Sequence, residues 1–63
     1  MNKSDIRDTL NREIEYRLGL IDQAKRGVLL HLETPEKVQT WVDQQELAIY
    51  EVGWIASKLH IKL

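Results

Sequence analysis

The residues equipped for chemistry are few and poorly spaced for it. His31 and Glu33 stand one residue apart, and His60 follows near the far end of the chain. No pair therefore has the i, i+4 spacing that sets two metal ligands on one helical face. Cys is absent from the 63 residues, which excludes both a thiolate zinc site and a disulfide framework. Asp43, Glu46 and Glu51 would act as acids or bases only inside a concave apolar pocket, and nothing in the pattern supplies one. Ser57, His60 and Asp43 hold the side chains of a hydrolytic triad, but residues strung along one helix do not converge on a substrate atom. The expectation is no catalytic residue, no metal and no cofactor: not an enzyme.

Thr34-Pro35-Glu36-Lys37 is a helix start, with Thr34 as N-cap, Pro35 preset for the first helical position, and Glu36 at the positive end of the macrodipole. From there Val38, Trp41, Val42, Gln45, Ala48, Ile49, Val52, Ile55, Ala56 and Leu59 share a sector of roughly 140° at 100° per residue. That sector is a core face. Gln45 is its polar member, placed to fix register or oligomeric state.

Upstream, Ile6, Leu10, Ile14, Leu18, Ile21, Ala24 and Val28 recur at intervals of three and four, and Asn2 or Ser4 can cap the helix they define. Arg17 falls within this apolar stripe; its stem is expected to lie along the core while the guanidinium reaches water or a carboxylate. Gly19 could permit close helix approach. Lys25-Arg26-Gly27-Val28 reads as a helix end, with Gly27 free to turn left-handed and an apolar residue behind it. The preferred stop is Gly27; the competing reading runs on to about His31. The spacing thus predicts helix one from about Ser4 to Gly27 and helix two from about Pro35 to Lys58. A short connection folds them into an antiparallel hairpin, with Val28 against Val38, Ala24 against Trp41 and Val42, Ile14 against Val52, and Leu10 against Ala56.

A second apolar stripe is the informative feature. Leu47, Tyr50, Trp54 and Ile61 lie near the direction opposite Val52, where a solvated helix would carry only charge. They line up as one ridge, and Tyr and Trp are favoured interface anchors. Tyr16 and Leu20 stand off the main stripe of helix one and could extend a contact surface. These six residues are the candidate protein interface.

Length and charge bound the rest. Sixty-three residues make a single domain, near the size where one core barely offsets chain entropy, so oligomerisation is expected. Nine Lys and Arg against ten Asp and Glu give no field that draws the chain to nucleic acid or anionic lipid. No apolar run approaches a membrane span, and the start resembles no signal peptide; a cytoplasmic, membrane-free protein is expected. Lys58, His60 and Lys62 complement the negative end of the second helix dipole, or join Lys3 and Arg7 in a small phosphate-contacting patch.

In shape the expected hairpin resembles the plasmid-replication regulator Rop, a dimer of helical hairpins that binds paired RNA loops. The likeness covers the architecture of the whole chain and involves no shared motif; it implies a dimeric RNA- or DNA-binding regulator. Gln44-Gln45-Glu46-Leu47-Ala48 resembles the Ser-Gln-Glu-Leu-Asp of helical-hairpin phosphatases that act on a sporulation response regulator, matching at Gln45, Glu46 and Leu47. Gln44 replaces the Ser and Ala48 the Asp, so that activity is not expected. The reading adopted is an all-α, antiparallel two-helix hairpin that dimerises into a four-helix bundle. It would be a non-enzymatic regulator or adaptor, as small bacterial and phage proteins often are, binding a protein partner through an apolar helix face. Nucleic acid is the less favoured partner.

Overall fold

The computed structural model describes residues 2–63. They form two helices, α1 (Lys3–Lys25) and α2 (Pro35–Lys58), packed against each other as a hairpin. Asn2 rather than Ser4 caps α1, its side-chain oxygen accepting the Asp5 N–H at 2.9 Å. Thr34 does the same for α2 through the Lys37 N–H at 3.2 Å, with Pro35 leading the first turn. Each cap satisfies a donor that a helix start leaves without an intrahelical partner.

Both helices end in the same way. At α1, Gly27 takes φ +75, its N–H donating to Ala24 O and the Val28 N–H to Gln23 O. This is a Schellman motif, so α1 stops before Gly27 and does not run on to His31. At α2, His60 takes φ +56; its N–H donates to Ser57 O at 3.1 Å and the Ile61 N–H to Ala56 O at 2.8 Å. The second motif uses His where the first uses Gly.

That second motif corrects the placement of Ile61. Because α2 ends at Lys58 and the backbone turns at His60, Ile61 leaves the ridge and folds back, only 8% exposed. It meets the start of α1 around a hollow that Lys3, Ser4 and Arg7 also line.

The core is thin. Ile21, Ala24 and Val42 form its centre, with Leu29, Leu32, Val38, Trp41 and Ile49 packed around them. Val52 and Ala56 continue it along α2. Arg17 lies half-buried as expected, donating through Nε to Glu13 Oε1 and through Nη1 to Gln45 Oε1, both at 2.9 Å. Gln45 is 4% exposed, and this cross-helix bond ties one register of α1 to α2.

Several expected core residues lie outside. Leu18, Ile55, Leu59 and Val28 are all exposed, because one neighbouring helix covers a narrower sector than the wheel allotted to the core. Val28 is exposed beside the turn at Gly27, and Leu29 and Leu32 rather than Val28 join Val38 against the central cluster. Gly19 finds nothing near the position a Cβ would occupy, so it does not serve close approach of α2.

Candidate interaction face

α2 presents two sides with opposite fates. Toward α1 it buries Val42, Gln45, Val52 and Ala56. Seven residues make about two turns at 100° each, so Leu47, Tyr50 and Trp54 return to one line, and that line points away from α1. Leu47 is 58% exposed, Tyr50 70% and Trp54 56%. Tyr50, Glu51, Trp54 and Ile55 line a shallow hollow along this side, and the Lys58 ammonium lies 5.1 Å from the centre of the Trp54 ring. Cation and ring attract through the ring quadrupole. Ile55 and Lys58 belong to this surface although the sequence pattern assigned one to the core and the other to the helix dipole. The available signals were the i+4 offset of Lys58 from Trp54 and the i+4 offset of Ile55 from Glu51, which lines the same hollow.

Tyr16 and Leu20 do not join the ridge. They stand on α1, behind the core as seen from Trp54. Tyr16 is exposed with the Arg17 guanidinium 5.7 Å from its ring centre, and Leu20 is partly buried. They form a separate flank.

Two further surfaces carry polar groups. Lys3, Arg7, His60 and Lys62 gather around the hollow at the joined ends of α1 and α2, while Lys58, stacked on Trp54, stays apart. Arg7 is already engaged by Ser4 Oγ at 3.3 Å and by Asp8 Oδ1 at 3.8 Å. At the hairpin tip His31 meets Trp41 edge-on, ring centres 5.4 Å apart, and Trp41 Nε1 is buried without an acceptor. Such an unpaired donor weakens the tip by about 1–3 kcal/mol relative to a satisfied one.

Among the described residues no three His, Asp or Glu side chains come together as metal ligands would, and neither helix is long and apolar enough to cross a membrane. The phosphatase-like stretch divides between the faces: Gln45 is buried and held by Arg17, whereas Glu46 and Leu47 point outward. Comparison with protein-family models, characterised proteins and solved structures returns no match for this chain.

Proposed function

We propose that this chain is a small, non-enzymatic cytoplasmic docking protein, a regulator or adaptor that works by seating the α2 ridge on an apolar protein surface. Self-association of hairpins into a four-helix bundle, or a close relative of one, belongs to the same reading. The observation that carries it is the ridge: three large apolar side chains, each more than half exposed, on the side of α2 that, among the described residues, no other element covers. Scattered exposed hydrophobes are ordinary, but aligned aromatic ones mark contact surfaces.

The shape agrees. The hairpin measures 42 × 17 × 13 Å with a radius of gyration of 13.8 Å, whereas a compact domain of this length has about 11 Å. Two helices in a single layer leave the second apolar side of α2 bare, and stable domains cover such sides with a second layer.

Affinity capture from host lysate with the tagged chain, run in parallel with Trp54→Ala, tests the reading. A partner retained by the native chain and lost with the variant supports it, and equal recovery by both contradicts it. A second reading, nucleic-acid binding by a Rop-like dimer, is favoured by the grouping of Lys3, Arg7, His60 and Lys62 around one hollow. Salt separates the two. A complex built on phosphate contacts weakens steeply between 50 and 200 mM salt, roughly tenfold for each two phosphates engaged, while a mostly apolar interface changes little.

A further inference from the structure

Resting on the docking reading above, we infer that the occupant of the α2 ridge is a second copy of this chain, its α2 laid antiparallel across the first about a two-fold axis between Tyr50 and Glu51. A two-fold interface must be self-complementary, since each residue meets the residue equally far on the other side of the axis. The ridge has that property. Asp43, Leu47, Tyr50, Trp54 and Lys58 are all exposed and fall within about 40° of the Trp54 direction on a helical wheel. Rotation about the axis sets Trp54 over Leu47 of the second copy and Tyr50 over its Glu51, with the two Tyr50 side by side. The same rotation brings Lys58 opposite Asp43 of the second copy, about 11 Å from the axis at each end at 1.5 Å per residue.

The charges at the two ends are of opposite sign and are placed for this exchange. Lys58 is held on the ridge by the Trp54 ring, 5.1 Å away. Asp43 accepts from Gln39 Nε2 through Oδ1 at 2.7 Å, which leaves Oδ2 for a cation. Antiparallel α2 helices also set each macrodipole against the opposite end of the other.

The areas match. The hairpin exposes 4883 Å², about 700 Å² more than the roughly 4,200 Å² of a compact monomer of its mass. One partner in a standard protein interface contributes about 800 Å². α2 is the more apolar of the two helices, as the inner member of an array α1–α2–α2–α1 must be, because it is covered on both sides.

The charges supply the test. In a dimer of Lys58→Glu each new carboxylate faces the one Asp43 of the other copy, and in a dimer of Asp43→Lys each new ammonium faces one Lys58, so each variant alone meets repulsion at both ends. Mixed in equal amounts, the two variants have an attractive pair at each end of the heterodimer. Both positions are exposed, and circular dichroism checks that each variant keeps its helices. By sedimentation equilibrium the native chain should dimerise at micromolar concentration, each variant alone about tenfold or more weaker, and the mixture near the native value. A native chain that stays monomeric, a variant that dimerises as tightly as the native chain, or a mixture no tighter than its components would overturn the assignment. A monomeric native chain leaves the docking reading to its own test, in which Trp54→Ala loses a captured partner.

Discussion

The inner and outer sides of α2 differ in a way that runs against the habits of a self-sufficient monomer. The side that α1 covers is buried most deeply at small and medium residues, Val42, Val52 and Ala56 with one amide at Gln45, and keeps Trp41 and Ile49 partly buried at its margin, whereas the side left in water holds Leu47, Tyr50 and Trp54. Large aromatic side chains carry the largest gain on burial. A chain stabilised by its hairpin alone would place them inside. The seam between α1 and α2 takes small residues at its centre and Trp41 and Ile49 at its margin, and Leu47, Tyr50 and Trp54 are left for another surface.

The comparison breaks most visibly by placing one charge on each side in turn. Val42→Asp buries a carboxylate with no partner in the central cluster, at a cost of about 3–5 kcal/mol, most of the stability of a domain this small. Leu47→Asp on the exposed side should leave folding of the monomer, read below the concentration of dimerisation, within about 0.5 kcal/mol. Thermal denaturation followed at 222 nm separates them. If both variants unfold alike, the two sides of α2 are not distinct.

The helix ends sharpen the same contrast between a position the hairpin requires and one it tolerates. Gly27→Ala puts a Cβ at φ +75 and should destabilise by about 1 kcal/mol. His60→Gly relieves φ +56 and should stabilise by about 0.5 kcal/mol, with its greater chain entropy offsetting part of the gain. Urea midpoints moving in opposite directions would bear this out. Smallest is Gly19→Ala: nothing crowds the site, so the helix should gain about 0.5–1 kcal/mol from the lower entropy cost of ordering Ala. A loss there would mean that Gly19 faces something outside the hairpin.

The boundaries that were legible in the sequence were those written in local chemistry. Thr34-Pro35 and Gly27 carry their conformations in their own covalent structure, and the structure begins and ends the helices beside them. The end of α2 at Lys58 lies where the sequence put it, but the turn beyond was not legible, because the left-handed position is occupied by His60, which announces nothing by itself. Extending the 3.6-residue wheel past Lys58 therefore carried Ile61 onto the wrong face. Its signal was present in the pairing of Ile61 with Ala56 five residues earlier, the apolar contact of a Schellman motif. Leu18, Ile55 and Leu59 were misplaced for another reason. Periodicity gives the direction of a side chain, but how wide a sector is covered depends on how many helices surround it. The Arg17–Gln45 bond was legible only in part, since the stripe showed both residues inside without showing that they meet.

The central claim, that the outer side of α2 is a contact surface and the inner side alone holds the hairpin, is tested most directly by Trp54→Ala, with helicity and mass measured on the same sample. The account predicts an unchanged circular dichroism spectrum together with association weakened by about 2 kcal/mol, roughly thirtyfold. Loss of helix would place Trp54 in the fold and contradict the two-sided account. Unchanged mass and unchanged helix would leave Trp54 an ordinary exposed aromatic and contradict it equally.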